Sequence, residues 1–219
     1  MNDYKKILML HAVDNSTLFL KNFEKEFSDY YVSFDSTNDS VLMAKRLLGD
    51  LNPKSLIIFL GHGSSYGLYV PDESHEYEKL FLDVNWGNHF FEDHDVFLLS
   101  CRSSEYIEKI FHSNFSLGFG NIISSNEELT IHNNKNDIKK KLSIDEINLF
   151  NDIYIKISIK VVKKLISNEI CFSSIPRYFK FFINQEINAI LLNKNNTNRV
   201  ELSRMLFEFR NEIALRKNV

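Results

Sequence analysis

Two side chains in this sequence combine the type and the setting that nucleophilic catalysis requires. His62 follows the apolar run Leu56-Ile57-Ile58-Phe59-Leu60, in the segment Leu60-Gly61-His62-Gly63-Ser64-Ser65. Cys101 follows Val96-Phe97-Leu98-Leu99, in the segment Leu99-Ser100-Cys101-Arg102-Ser103-Ser104. A thiol with a pKa of about 8.5 is only a few per cent thiolate at neutral pH. An imidazole within reach can take that proton and later return one to a leaving amine. Gly63 lets its amide approach a scissile carbonyl closely, and with the Cys101 amide it can form an oxyanion hole. Taken singly, a histidine is most often a surface or core residue, and a cysteine at a strand end is a small hydrophobe. Their pairing at two strand ends, 39 positions apart, sets them aside from that reading.

The two apolar runs lack polar alternation, as expected of central strands covered on both faces. Strands are predicted at 7–11, 31–34, 55–60, 95–100 and 117–123, with helices at 14–27, 39–51 and 104–112. Between them, 61–95 reads as a looser region with a hairpin around Pro71-Asp72 and a short helix at 86–91. Strands alternating with helices give a mostly parallel sheet with helices on both faces, an α/β three-layer α-β-α sandwich. Ligands in such sheets sit beyond the carboxyl ends of the strands, where His62 and Cys101 fall. A helix starting at Ser103 or Ser104 would put its positive end near Cys101 and favour the thiolate. Beyond about Lys139 the pattern changes to helices at 144–166, 175–192 and 197–216. Residues 1–166 therefore read as the catalytic unit, and 167–219 as a helical extension packed on the same core.

Composition bounds the alternatives. The 219 residues are 44% hydrophobic and 25% charged, enough for one well-buried core. A net charge of -3 offers no cationic excess for nucleic acid or an anionic membrane. The N-terminal apolar run is too short for a secretory signal, and no stretch approaches the roughly 20 apolar residues of a membrane span. Two cysteines are too few for a disulfide framework or a four-cysteine zinc site. A cytoplasmic, reduced protein without metal or cofactor is expected.

The succession strand-His62-Gly63, then strand-Cys101, resembles the caspase-like cysteine peptidases: caspases, metacaspases, separase and the bacterial CHAT proteins. The segment Leu98-Leu99-Ser100-Cys101-Arg102-Ser103-Ser104 is most similar to the CHAT and metacaspase nucleophile loops. The likeness spans roughly residues 4–166. The caspase signature Gln-Ala-Cys, then Arg, Gln or Gly, then Gly, is met only at Arg102, with Ser100 and Ser103 in place of the alanine and glycine. What the resemblance implies is a caspase-haemoglobinase fold and a cysteine endopeptidase with a Cys101–His62 dyad. It also implies a single-chain bacterial enzyme, monomer or weak dimer, that cleaves a partner effector protein in antiviral defence or regulated cell death. In the branch that cuts after arginine or lysine, an acid follows the first strand; Asp14 stands at that place, with Glu127 and Glu128 as further acids in the loop after the fifth strand. Asp14 reads equally as a helix N-cap. Arg102 would favour an acidic P1 instead, but a residue just after the nucleophile is expected to point into the fold.

Gly63-Ser64-Ser65-Tyr66-Gly67 matches the G-x-S-x-G elbow of serine hydrolases, which must run from strand directly into helix; extended chain is predicted there, leaving a Ser65 esterase as a lesser alternative. His89-Phe90-Phe91-Glu92-Asp93-His94 misses the zinc patterns, since positions five apart on a helix do not converge on one ion. Aromatic residues at Tyr178, Phe179, Phe181, Phe182, Phe207 and Phe209 read as a packing face before a base-stacking one. A non-catalytic caspase-like module that binds a partner protein is the competing reading from another class.

Overall fold

The computed structural model describes residues 3–74, 76–135 and 139–218. The chain begins with β1 (Ile7–Ala12), a 3-10 helix (Asn15–Lys21) continuing into α1 (Asn22–Phe27), β2 (Tyr31–Phe34), α2 (Asn38–Gly49) and β3 (Leu56–Leu60). Three short strands follow, β4 (Gly63–Ser64), β5 (Gly67–Tyr69) and β6 (Leu80–Asp83), then α3 (Val84–Phe90), β7 (Asp95–Leu99), α4 (Ser103–Ile107) and β8 (Phe115–Gly118). The chain closes with α5 (Asn126–Lys135), α6 (Ile144–Ile166), α7 (Ile175–Leu192), α8 (Arg199–Asn211) and β9 (Ala214–Lys217).

Six strands form one sheet in the order β2-β1-β3-β7-β8-β9; the first five are parallel and β9 runs antiparallel on β8. β4, β5 and β6 form a separate antiparallel sheet. Period-two alternation splits the central strands between two cores. Met9, Ile58, Leu60, Phe97 and Leu99 join one cluster with residues of α1, α6, α7 and α8. Leu8, Leu10, Ile57, Phe59, Val96 and Leu98 join the other with Val41, Ala44 and Leu48 of α2 and Tyr106 and Ile107 of α4. Every residue of β3 and β7 is buried, and each such Leu, Ile or Phe contributes roughly 1.5–3 kcal/mol. The result is the mostly parallel, helix-covered sheet of the α/β class. Among the described residues, no helix is long and apolar enough to cross a membrane.

Four local expectations give way to other geometry. The helix predicted at 14–27 begins as a 3-10 turn, because Asp14 and Thr17 form a reciprocal capping box while the Thr17 hydroxyl bonds the Ala12 and Asp14 carbonyls. The tight hairpin turn falls at Ser65-Tyr66, between paired Ser64 and Gly67; Pro71-Asp72 lies in the longer connection from β5 to β6. Glu127 and Glu128 sit in the first turn of α5, not in a loop. The last helix stops at Asn211 and the chain re-enters the sheet as β9, with Ala214 packed on one core and Leu215 on the other. That strand covers the edge β8 would otherwise expose.

Candidate active site

Leu60 and Leu99 are register partners on adjacent parallel strands, so His62 and Cys101 each lie two residues past the same rung. The ladder runs one step further, with the Gly61 amide donating to the Leu99 carbonyl at 3.3 Å. Gly61 has φ +151°, and a Cβ there would stand 2.9 Å from that of Ala12, so glycine alone fits. At Gly63 a Cβ would meet the Ser100 hydroxyl at 2.7 Å and the Cys101 carbonyl at 3.1 Å; the backbone of one loop packs directly on the other. Both His62 and Cys101 line a cleft of about 1020 Å³ and border a smaller recess of about 20 Å³ with Gly61, Leu99 and Ser100.

The imidazole is held by side chains. His62 Nε2 lies 2.6 Å from Ser16 Oγ, 2.9 Å from the Tyr77 hydroxyl and 3.6 Å from Asp14 Oδ1. The Tyr77 ring packs on it, centroids 4.2 Å apart. Asp14 is the N-cap that the local sequence allowed: it accepts from the Ser16 and Thr17 amides, the Ser16 hydroxyl and the Asp72 amide. Its side chain is fully buried against His62 and is not part of the cleft lining. Burial alone would raise the Asp14 carboxyl, but the neighbouring His62 imidazole and the Ser16 hydroxyl hold it well below the usual carboxylate range.

The sulfur is held by backbone. Cys101 Sγ donates to the Ile122 carbonyl at 3.0 Å and accepts from the Ile122 amide at 3.3 Å. Burial pushes its thiol well up, with Glu128 adding to the shift and the Ile122 amide opposing it. α4 spans only five residues, with Arg102 at its start in the left-handed region, φ 53°. Arg102 turns outward rather than into the fold, and its guanidinium makes two 2.8 Å bonds to Glu105. Ser103 pins the loop from below, its hydroxyl bonding the Leu98 and Ser100 carbonyls and accepting from the Phe119 amide.

The two amides read as an oxyanion hole have room for that task. The Tyr69 amide donates to the His62 carbonyl at 3.0 Å, so the next rung, Gly63 with Leu68, is a non-bonded pair whose N–H groups face away from the ladder. The Cys101 amide donates to no group among the described residues.

Glu127 lines the cleft, together with Glu76, Glu128 and Glu212, whereas Arg102 is the one Lys or Arg lining it among the described residues and is already paired with Glu105. Opposed to this acidic lining, a cationic group gains and an anionic one loses. Glu212 comes from the turn into β9, where its carboxylate accepts from the Asn121 amide at 2.8 Å. Ser65 is buried in the turn of the β4–β5 hairpin, without the strand-to-helix passage a nucleophile elbow needs. His94 accepts from the Ser55 amide at 3.2 Å and His89 packs beside Trp86. Among the described residues, no three His, Cys, Asp or Glu are grouped to hold a metal ion.

Ser16, Tyr77 and Glu212 escaped the sequence reading. Ser16 stands in Asp14-Asn15-Ser16, whose side chains signal only a helix start, and Tyr77 lies in a connection without periodic signal. Set against protein-family models, curated proteins and solved structures, the chain matches none of them.

Proposed function

We propose that the chain is a cysteine endopeptidase of caspase-like build, with Cys101 as nucleophile and His62 as base and then acid. The observation that carries this reading is the placement of both residues two positions past one rung of adjacent parallel strands, on the wall of one cleft. His62 takes the thiol proton, and the sulfur attacks the scissile carbonyl carbon while the Gly63 and Cys101 amides receive the oxyanion. The C–N bond breaks as the imidazolium returns its proton to the leaving amine, giving a thioester. Water then attacks the thioester, passing its proton to His62; the acid departs and the proton returns to the sulfur. The glutamate-lined cleft supports a basic P1 residue, with Glu127 among the acids nearest that role and Asp14 acting behind His62 instead. The substrate is a protein or peptide, and the resemblance to bacterial members supports a partner effector in a defence or cell-death pathway.

One observation favours the non-catalytic alternative: the thiol is tied to the Ile122 carbonyl in a buried seat that pushes its pKa up, the setting of a structural cysteine. A peptide-library digest separates the two. The catalytic reading expects cleavage after Arg or Lys that is lost in both Cys101→Ala and His62→Ala. Absence of cleavage by the intact chain, or equal cleavage by the variants, would favour the binding module; cleavage after Asp would remove only the basic-P1 assignment.

A further inference from the structure

We infer that Ser16 is a positioning residue that couples Asp14 to His62, fixing the imidazole tautomer so that Nδ1 is the nitrogen that exchanges a proton with Cys101. The inference rests on the dyad proposed above, but its geometry stands apart from it. Asp14 is held ionised and buried, so its oxygens can only accept hydrogen bonds. Ser16 Oγ lies 2.6 Å from Asp14 Oδ1 and has one proton, which therefore points at the carboxylate. The lone pairs of that oxygen are left for its other close neighbour, His62 Nε2, also at 2.6 Å. Nε2 must then carry a hydrogen, and Nδ1 keeps the lone pair. The Tyr77 hydroxyl, 3.2 Å from Ser16 Oγ, supplies a second donor to the same oxygen and agrees with this polarity. Nδ1 makes no hydrogen bond among the described residues, as a free base should.

The arrangement divides the labour of a third catalytic-site member between two groups. Asp14 supplies negative charge 3.6 Å from Nε2, too long for a direct hydrogen bond. Ser16 bridges that gap and sets the direction of the proton. When His62 takes the thiol proton, the imidazolium keeps its Nε2–H···Ser16 bond and gains the nearby carboxylate as counter-charge. Other titratable groups near this pair are Tyr77 and Asp72 from the β5–β6 connection, His11 from β1, Lys21 from the 3-10 helix and Glu128 from α5, and none of these bridges Asp14 and His62 as Ser16 does.

The test reads the tautomer directly. Long-range 1H–15N spectra of the His62 ring, taken on the full chain in a Cys101→Ala background near neutral pH, should show the Nε2–H form. Adding Ser16→Ala should produce a tautomer mixture, and Ser16→Thr should restore the single form. With Cys101 intact, Ser16→Ala should lower kcat about tenfold to a hundredfold with KM little changed, again rescued by Ser16→Thr. Asp14→Asn keeps a capping side chain and should weaken the preference in the same direction. A ring in the Nδ1–H form in the starting protein, or a tautomer unmoved by Ser16→Ala and Asp14→Asn, would overturn the coupling. Failure of the dyad itself would instead appear as absent turnover with the tautomer shifts intact.

Discussion

The two loops that meet at the sheet edge are built from opposite materials. The His62 loop is wired to side chains, Asp14, Ser16 and Tyr77, drawn from two separate connections. The Cys101 loop is wired to main chain, with the sulfur on Ile122 and Ser103 beneath it. One side presents an oriented imidazole backed by a buried carboxylate; the other presents a thiol in a buried seat. Under the proposed mechanism, the imidazole is oriented before a substrate arrives, whereas the thiol would have to exchange its bond to the Ile122 carbonyl for a transfer to His62.

The comparison breaks most severely where the loops touch. Gly63→Ala would force a methyl to within 2.7 Å of the Ser100 hydroxyl and push the two loops apart. The expected cost is about a thousandfold in kcat/KM, some 4 kcal/mol, from misplacement of the dyad and of the residue 63 amide. Steady-state kinetics on a cleaved peptide, beside a thermal melt showing a folded variant, would check it.

The His62 side should also carry an acid sensitivity that the Cys101 side lacks. His11, buried in β1 just before the Asp14 turn, is pushed down from 6.5 to about 4, chiefly by burial, with the Thr17 backbone and Asp14 opposing. Between those values the unfolded chain binds a proton on His11 that the folded chain rejects. Stability is therefore full above about pH 6.5 and falls as the solution is acidified toward about 4, by at most about 3 kcal/mol. Urea melts across that range, repeated on His11→Asn, should show a flatter profile for the variant. Asp14 responds lower still: its depressed carboxyl contributes stability above the unfolded carboxylate range that is lost as pH falls below it.

The buried seat makes a smaller and opposite forecast for reactivity. Cys171 is exposed, and hydrogen bonds from Ser173 and Ser174 lower its thiol, whereas burial raises that of Cys101. Iodoacetamide should therefore label Cys171 about tenfold or more faster than Cys101 in the resting chain. Peptide mapping over a time course would read this order; preferential labelling of Cys101 would mean the thiolate is already formed and the comparison overstated.

Much of this edge was legible in the residues themselves. Leu56–Leu60 and the run into Leu99 could only be buried strands, and that alone placed His62 and Cys101 at one rim. α6 and α7 begin and end where their periodicity places them, because each has an uninterrupted apolar stripe. What escaped was set by partners far away in sequence. Tyr77 reaches His62 only because Asp72 caps the turn that carries it, through the Ser74 and Tyr77 amides. Ala214–Lys217 has the composition of a helix end, and it becomes a strand because the open edge of β8 offers a ladder. Arg102 faces outward because its left-handed backbone, a feature no pattern of residue types announces, directs it to Glu105.

The pairing of His62 with Cys101 is tested most directly by a peptidyl acyloxymethyl ketone with arginine at P1, followed by intact-mass and peptide-mapping analysis. The expected result is a single adduct on Cys101 that His62→Ala suppresses at least a hundredfold while Cys171→Ala leaves it untouched. Adduct formation at Cys171 alone, or modification of Cys101 at the same rate with and without His62, would contradict the dyad.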